Sequence, residues 1–516
     1  MSVACGGNGP HWEGHGRKPM MHDSRKSDRS VLPAKHPNKA GNPAAEGVEG
    51  RDLAKGNTAQ QNVLRTQRRV STPSALDRVR QLAKKDRNVK FTNLCHHVTL
   101  ERLQHAFGAL KHRASAGVDG VTWQQYRRAA EGNLQSLHDR IHRGSYRAKP
   151  TRRTYIPKSD GGKRPLGIAT LEDKVTQRAV VEVLNAVYET DFIGFSYGFR
   201  PGRSAHDALD ALSTGIRRRK VNWVLDADIR AYFDSIDHGW LQKFLEHRIA
   251  DRKLLRLIQK WLNAGVLEEG RWTESTEGAP QGATVSPLLA NIYLHYVFDL
   301  WAQRWRKRCA SGDVVFVRYA DDLVAGFQNW GDAERFQRDL RERFAKFKLE
   351  LHPVKTRVIR FGRMAVPERN TRGRRRAGTF NFLGFTHITA RSRVGGFLLI
   401  RRTQRQRLQT KLRAVRTELR KRRHLPISEQ GKWLRSVVVG HFAYYAVPNN
   451  FRALRCFRTQ VERHWLRSLQ SRGQRDRTNW ARIHRISELW LPRPRILHPW
   501  PEERFDVRTR GKSPVR

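Results

Sequence analysis

Cysteine is scarce in this chain, and its few cysteines are widely separated. The 516 residues include four, Cys5, Cys95, Cys309 and Cys456, and no two of them form a Cys-x-x-Cys pair. This spacing argues against a zinc ribbon and provides no framework of disulfides. The pattern favours a reducing cytoplasm.

Long hydrophobic runs are missing as well. No segment approaches the roughly 18 apolar residues of a membrane span. The N-terminus also shows no apolar core of a signal peptide. Hydrophobic residues still make up 38% of the chain, which is enough for a sizeable core. We therefore expect a globular protein without a membrane partner.

Acidic residues are in short supply. Lys and Arg number 100 against 48 Asp and Glu, which gives a formal net charge of +52. Such an excess opposes compaction unless a polyanion neutralises it. Nucleic acid is the partner that this charge favours, through phosphate neutralisation and counterion release. An anionic membrane surface is the alternative, and it is disfavoured because no long basic helix carries a continuous apolar face.

The start of the chain has few large apolar side chains. Up to about residue 75 it contains nine Gly and six Pro, with no apolar periodicity. Such a segment buries too little surface to offset the entropy lost on ordering. We expect residues 1–72 to be a disordered basic tail.

The next 300 residues or so mix strand-like and helical patterns without strict βαβ alternation. Thr170 is expected to cap a helix, since its oxygen can accept from a free N–H of the first turn. Ser286-Pro287 is expected to begin another, because proline suits the first helical position. Val314 to Phe327 is expected to form a hairpin. The mixture predicts an α+β fold over residues 73–390.

The character of the sequence changes after Ile400, where basic residues recur at helix-compatible spacing. This pattern predicts an all-helical domain over residues 391–475. Residues 476–516 are rich in Trp, Pro and Arg. We expect them to form an irregular, basic C-terminal extension.

The hairpin segment carries two adjacent carboxylates, Asp321 and Asp322, in an otherwise apolar ribbon. Removing both from water costs free energy, and their mutual repulsion adds to the cost. A bound divalent cation removes both penalties, so the segment favours a metal site. The alternative is an ordinary exposed turn, which would favour a Gly or Asn companion.

A second carboxylate pair, Asp226 and Asp228, ends a predicted buried strand that begins at Trp223. Residues two apart share one face of a strand, so the pattern does not choose between them. Either one adds a third carboxylate to the hairpin pair. Three carboxylates can hold two Mg²⁺ ions, which promote phosphoryl transfer by activating a hydroxyl and stabilising the leaving oxygen.

A third segment, from Gly278 to Pro287, is rich in small residues that let backbone approach a ligand closely. Gln281 stands in it as a polar side chain between two tight turns. Without further context, a plain loop before a helix explains the segment equally well.

Taken together and in this order, the three segments resemble the catalytic motifs of reverse transcriptases. Further segments resemble the group II intron branch of that family, from about residue 90 to 475. They are Gly117-Val118-Asp119-Gly120, Lys163-Arg164-Pro165-Leu166-Gly167-Ile168, Ser196 to Ala205, Phe382-Leu383-Gly384-Phe385 and the maturase-like Gly440 to Tyr445. The resemblance implies a right-hand polymerase fold of fingers and palm, followed by a helical thumb.

The resemblance also assigns roles to single residues. Asp228, Asp321 and Asp322 match the catalytic aspartates that hold two Mg²⁺ ions, and the Ile229 carbonyl matches a further metal ligand. The segment from Phe382 to Phe385 matches the support of the primer end.

Other matches concern the incoming nucleotide. Lys158 and Arg164 match the finger cations that hold its triphosphate, where a fork of donors suits phosphate oxygens. Gln281 matches the glutamine that contacts the nucleotide. Phe233 matches the bulky gate that excludes a 2′-hydroxyl, with core packing as the alternative.

The activity implied by the resemblance is RNA-directed DNA polymerisation with an RNA template, a DNA primer and dNTPs. Binding of group II intron RNA to assist splicing is the second implied role. A domesticated or defence-associated reverse transcriptase without a maturase role is the alternative. A His-Asn-His endonuclease domain is not expected, because fewer than about 45 residues follow the predicted thumb and Cys456 is the last cysteine.

Overall fold

The computed structural model describes most of the chain after the N-terminal tail. The described residues are 75–157, 162–365, 378–392, 394–473 and 478–509. The expected tail over residues 1–72 and Lys158 lie outside these ranges. Among the helices within them, none has the length and apolar character that a membrane span requires.

Helices dominate the described residues. In chain order they are α1 Ala75–Lys85, α2 Leu100–Gly108, α3 Trp123–Arg127, α4 Ala130–Arg143, α5 Leu171–Asp191, α6 Ala205–Arg218, α7 His238–Glu246, α8 Arg252–Leu262, α9 Ser286–Leu294, α10 Leu300–Arg308, α11 Trp330–Ala345, α12 Arg405–Lys421, α13 Ile427–Tyr445, α14 Phe451–Gln470, α15 Trp480–Trp490 and α16 Pro501–Thr509. A 3₁₀ turn spans Tyr232–Asp234, and a π-helical segment, His295–Asp299, joins α9 to α10.

Both predicted helix starts are confirmed. The Thr170 side chain accepts a hydrogen bond from the backbone N–H of Asp173 at the start of α5. Helix α9 begins at Ser286 and has Pro287 in its first turn. The missing N–H of that proline costs nothing there, because the first N–H groups of a helix have no partner within the helix.

The described strands form three sheets in a mixed α/β arrangement. The strands are β1 Thr151–Pro157, β2 Lys163–Ile168, β3 Trp223–Ala227, β4 Val266–Glu268, β5 Arg271–Thr273, β6 Val314–Tyr319, β7 Asp322–Phe327, β8 Arg357–Arg360, β9 Thr379–Phe382, β10 Phe385–Arg391 and β11 Phe397–Thr403. The N-terminal sheet has the order β2-β1-β4-β5, the central sheet β6-β7-β3-β8 and the C-terminal sheet β11-β10-β9. The predicted hairpin is confirmed as β6 and β7.

Two expectations for the second half of the chain were wrong. The helical region does not begin at residue 391, because β11 pairs with β10 over its whole length and α12 starts only at Arg405. The C-terminal extension is not irregular, since it contains α15 and α16. Its many Pro and Trp residues suggested irregular structure, but proline is compatible with the first turn of a helix, and one of the two helices begins at Pro501.

The central sheet is buried on both faces, so its strands are apolar at nearly every position. In β6, Val314 and Phe316 belong to one buried cluster, while Val315 and Val317 belong to another. Side chains alternate across a strand, so the two clusters lie on opposite faces of the sheet. The first cluster includes side chains of α5, α9 and α11, and the second includes those of α6, α13 and α14. Because helices pack on both faces of this sheet, the residues at the ends of its strands are held in place.

Gly198 is needed where the chain before α6 passes the β6–β7 loop. A Cβ on Gly198 would lie 2.3 Å from the Ala320 backbone nitrogen and 2.9 Å from the Tyr319 carbonyl carbon. Both atoms are backbone, so they cannot move aside as a flexible side chain would. The loop and the segment before α6 are therefore in direct contact through this glycine.

We predict that Gly198→Ala lowers the free energy of unfolding by about 1–3 kcal/mol, as expected for overpacking. Urea unfolding of the full chain measures this change. Gly132→Ala in α4 is the matched control, because a Cβ there meets no atom within 4 Å. The control should leave stability unchanged or raise it by up to about 1 kcal/mol. Equal stability of the Gly198→Ala variant and the parent would contradict the close approach.

Candidate active site

Asp321 and Asp322 lie at the tip of the β6–β7 hairpin. Tyr319 pairs with Asp322, which leaves Ala320 and Asp321 as a two-residue loop. Ala320 has a φ of 56°, a value typical of such tight loops. This left-handed conformation costs an alanine on the order of 1 kcal/mol, so surrounding contacts must hold it.

Arg318, the penultimate residue of β6, supplies those contacts. Its side chain is 1% exposed, and Asp299 accepts hydrogen bonds from Nε and Nη2 at 2.7 and 2.6 Å. Nη1 donates to the Ala320 carbonyl at 3.0 Å and to Asn291 Oδ1 at 2.9 Å. Nη2 also donates to Ser196 Oγ at 2.7 Å. The guanidinium thus ties the loop to the π-helical segment and α9.

Sequence reasoning missed this role of Arg318. The available signal was the charged residue Arg318, which directly follows the apolar run Val314 to Val317 in a predicted buried strand. A buried charge is costly unless it is paired. The pattern therefore demanded an acidic partner, but nothing in it indicated Asp299.

The third carboxylate is brought to the hairpin by strand pairing. β3 runs antiparallel to β7, with Asp226 opposite Val324 and Ala227 opposite Leu323. Extending this register by one residue sets Asp228 opposite Asp322. Directly opposed residues have Cβ atoms about 5 Å apart. Asp228 is the residue that directly follows β3, and it lines the same cleft as Asp322.

Asp228 and Asp322 line an open cleft of about 430 Å³. The cleft is bordered by acidic, basic and amide side chains and by the turn between β9 and β10. Its lining residues are Asp226, Ala227, Asp228, Asp322, Leu323, Val354, Lys355, Arg357, Asn381, Phe382, Leu383, Gly384, Gln404 and Arg407. The mixture of charges suits a ligand that carries both phosphate groups and cations.

The carboxylates of the cleft repel each other. Withdrawal from water raises the pKa of Asp322 to about 7, helped by the charges of Asp321 and Asp228, while Arg407 opposes the rise. Withdrawal from water and the Asp228 charge also raise the pKa of Asp321, against the effect of Arg164. Withdrawal from water is the main cause of both shifts and the neighbouring carboxylates add to it, so a bound cation would oppose both.

The donor set fits a hard divalent cation, since carboxylate and carbonyl oxygens are the ligands that Mg²⁺ prefers. Within the ranges that the structure describes, no three His, Cys, Asp or Glu side chains are grouped closely enough to hold a metal ion. Asp228 has a cationic partner instead, because Lys355 Nζ lies 2.9 Å from Asp228 Oδ2.

Ile229 directly follows Asp228, and its carbonyl oxygen is the further metal ligand that the resemblance implies. Its bridge to Leu351 is made by its neighbours, since the Arg230 N–H donates to the Glu350 carbonyl and the His352 N–H donates to the Asp228 carbonyl. The bridge therefore leaves the Ile229 carbonyl unused, although the Ile229 side chain is buried. This carbonyl remains a candidate ligand.

The residues assigned to the nucleotide are joined through one loop. The Gly167 N–H on β2 donates to the Gln281 carbonyl at 2.6 Å, and the Ala279 N–H donates to the Phe233 carbonyl at 2.7 Å. Gln281 Nε2 lies 3.5 Å from Asp234 Oδ2. The loop thus holds the 3₁₀ turn and strand β2 together. The Phe233 ring is half-buried and packs against the core.

Arg164 lies on β2 with an exposed side chain, and its charge reaches Asp321. The structure thus connects β2, which carries Arg164, to the segments of Gln281 and Phe233 through backbone hydrogen bonds. Lys158, the other expected triphosphate cation, lies outside the described residues.

The turn between β9 and β10 borders the cleft through Phe382, Leu383 and Gly384. Leu383 and Gly384 have φ values of 47° and 82°, which match the two-residue hairpin loop with positive φ at both positions. Tyr444 on α13 donates its hydroxyl hydrogen to the Leu383 carbonyl at 2.7 Å. Tyr445 packs in the second buried cluster, and Tyr444 packs against that cluster.

Known proteins share these features. Residues 156–387 match the family model described as reverse transcriptase (RNA-dependent DNA polymerase). Protein YkfC of Escherichia coli is 35% identical over 313 residues, which cover 54% of this chain and 77% of that protein. The group II intron-encoded protein LtrA of Lactococcus lactis is 35% identical over 226 residues, 43% of this chain and 37% of that protein.

A third relative is the uncharacterized 91 kDa protein in the cob intron of Schizosaccharomyces pombe. It is 48% identical over 146 residues, 28% of this chain and 18% of that protein. The chain thus matches most of YkfC but well under half the length of the two intron proteins. The extended match to YkfC, the family model and the intron proteins agree on one assignment. This chain belongs to the family of group II intron reverse transcriptases and maturases, which are RNA-directed DNA polymerases.

Proposed function

We propose that the cleft is the site at which a DNA strand is extended on an RNA template. The 3′-hydroxyl of a primer attacks the α-phosphate of a dNTP, and pyrophosphate leaves. The observation that carries the proposal is that Asp228 and Asp322 line one open cleft at the edge of the central sheet, with Asp321 next to Asp322 at the hairpin tip. In such reactions catalysis comes from positioning and charge stabilisation.

In this proposal the molecule has the right-hand arrangement of polymerases. The central sheet and its covering helices are the palm, and the N-terminal sheet belongs to the fingers. Helices α12 to α14 are the thumb. Helix α12 is rich in exposed basic residues, which suits the phosphate backbone of an RNA–DNA duplex read by its shape.

Asp228, Asp321, Asp322 and the Ile229 carbonyl would hold two Mg²⁺ ions. Bound there, the ions would lower the pKa of the attacking hydroxyl and stabilise the leaving oxygen. The raised pKa of Asp322 supports this assignment, because like charges in a confined site favour a cation.

The nucleotide would lie between β2 and the 3₁₀ turn. Arg164, together with Lys158, would bind the triphosphate by charge-assisted hydrogen bonds. Gln281 would contact the nucleotide from the loop that joins the two elements. The Phe233 ring would lie under the sugar and exclude a 2′-hydroxyl by its bulk.

A second proposed role is binding of group II intron RNA to assist splicing. The net charge of +52 and the basic face of α12 support it, although phosphate contacts alone do not choose a sequence. Unchanged splicing of the host intron in cells lacking the protein would refute this role. A gene that lies outside any folded intron would instead favour a domesticated or defence-associated enzyme.

Replacing Asp321 and Asp322 together by Asn should abolish primer extension. We expect a fall of at least about 100-fold in the rate of single-nucleotide incorporation on an RNA template, since loss of metal ligands removes several kcal/mol of transition-state stabilisation. Asp226→Asn is the matched control, because Asp226 lines the same cleft but pairs with Val324, two residues along β7 from Asp322. Extension at the parental rate by the double variant would refute the assignment.

Replacing Phe233 by Val should admit ribonucleotides. The smaller side chain leaves room for a 2′-hydroxyl, so the ratio of kcat/KM for dNTP to that for the matching rNTP should fall by about 10-fold or more. Steady-state single-nucleotide incorporation measures both constants. An unchanged ratio, with a less stable protein, would mean that Phe233 only fills the core.

The pH dependence of stability should reveal the carboxylate cluster. The pKa of Asp322 is raised from its ordinary value of 3.8 to about 7 in the folded chain, so this carboxyl should hold a proton more strongly there than in the unfolded chain. The unfolded state therefore binds fewer protons in this window, and the stability of the metal-free protein should fall as pH rises through it. Asp322→Asn should weaken this fall, as thermal unfolding in EDTA at about pH 5 and about pH 8 would measure.

Added Mg²⁺ should reverse the loss at the higher pH. A ligand that binds only the folded state raises its stability, so the parent should unfold at a higher temperature with Mg²⁺ and the Asp322→Asn variant should not. Identical pH profiles for parent and variant would contradict the raised pKa.

A further inference from the structure

Three cations line the cleft beside the carboxylates, and they differ in what they already bind. Lys355 Nζ is 2.9 Å from Asp228 Oδ2. Arg357 Nη2 donates to the Thr379 carbonyl at 3.4 Å. Within the described part of the chain, the Arg407 guanidinium has no hydrogen-bond or ion-pair partner. Arg407 is therefore the cleft cation for which neither a hydrogen bond nor an ion pair within the described residues occupies the guanidinium donors.

The position of Arg407 is set by the turn between β9 and β10. The Gln404 N–H donates to the Gly384 carbonyl at 3.0 Å and so fixes the start of α12 on the turn. A Cβ on Gly384 would lie 3.4 Å from Arg407 Cδ, so the stem of the arginine packs directly over this glycine. The guanidinium is thereby held at the mouth of the cleft.

Arg407 and Arg164 lie on different elements. Arg164 is an exposed residue of β2, whereas Arg407 lies on α12 and lines the cleft. The two arginines thus approach the site from two separate elements. If the triphosphate occupies the β2 side, the anion on the α12 side belongs to the other substrate, the growing strand.

We propose that Arg407 binds the phosphodiester that links the last two nucleotides of the primer, and so places the 3′-hydroxyl at the carboxylates. The inference rests on the proposed function, since it needs a primer in this cleft. The planar guanidinium suits two phosphate oxygens at once, which a lysine ammonium does not. Arg407 is a positioning residue in this account, because it touches the primer one linkage away from the reacting atom.

The test is binding of the full chain to a primer–template duplex by fluorescence anisotropy, without dNTP and at fixed salt. One primer is natural, and another carries an uncharged methylphosphonate at the last linkage. The parent should bind the neutral primer about 10-fold more weakly. Arg407→Gln should bind the natural primer about 10-fold more weakly and lose nothing further with the neutral one. Arg407→Lys should recover only part of the affinity.

Arg413→Gln is the matched control, because Arg413 is an exposed residue of the same helix that does not line the cleft. It should keep the full penalty for the neutral linkage. Comparable thermal unfolding of the two glutamine variants would show that both fold.

Two outcomes overturn the inference. One is an equal penalty for the neutral linkage in the parent and in Arg407→Gln, or a penalty that moves to an inner linkage. The other is a rise in the KM for dNTP in Arg407→Gln with primer affinity unchanged, which would assign Arg407 to the triphosphate. A parent that binds the duplex but does not extend it would contradict the proposed function and still leave the binding test of Arg407 decisive.

Discussion

The ion pair between Arg318 and Asp299 is the contact on which the site depends. Both side chains are almost completely buried, and removing one partner of such a pair costs about 3–5 kcal/mol because the other charge is left in the core. The same guanidinium holds the Ala320 carbonyl in its left-handed loop. The pair therefore couples the packing behind the central sheet to the position of the two aspartates in front of it.

The burial that makes the sheet rigid also concentrates negative charge at its edge. Asp228 and Asp322 line the cleft where strands covered on both faces reach solvent, and the charge of Asp228 raises the pKa of both Asp321 and Asp322. Their repulsion is partly offset by Lys355, whose exposed ion pair with Asp228 contributes about 1 kcal/mol or less. A pair this weak can give way to a stronger cation.

The sequence pattern was enough to predict those elements that depend on residues close together in the chain. The cap at Thr170, the start of α9 and the hairpin with its two aspartates follow from a few neighbouring residues. The choice of Asp228 over Asp226 does not, because both share a strand face and only pairing with β7 sets their register. The partner of Arg318 and the role of Arg407 come from residues distant in the chain. Strand β11 was missed for the same reason. The spacing of its basic residues is compatible with a helix, but its pairing with β10 makes it a strand.

Metal binding by the three aspartates is the central claim, and Mn²⁺ provides its most direct test. Titration of the protein with Mn²⁺, followed by the electron paramagnetic resonance signal of the free ion, counts bound metal without requiring catalysis. The account predicts that Asp228→Asn and Asp322→Asn bind much less Mn²⁺ than the parent, while Asp226→Asn binds as the parent does. Equal binding by all four proteins would contradict it.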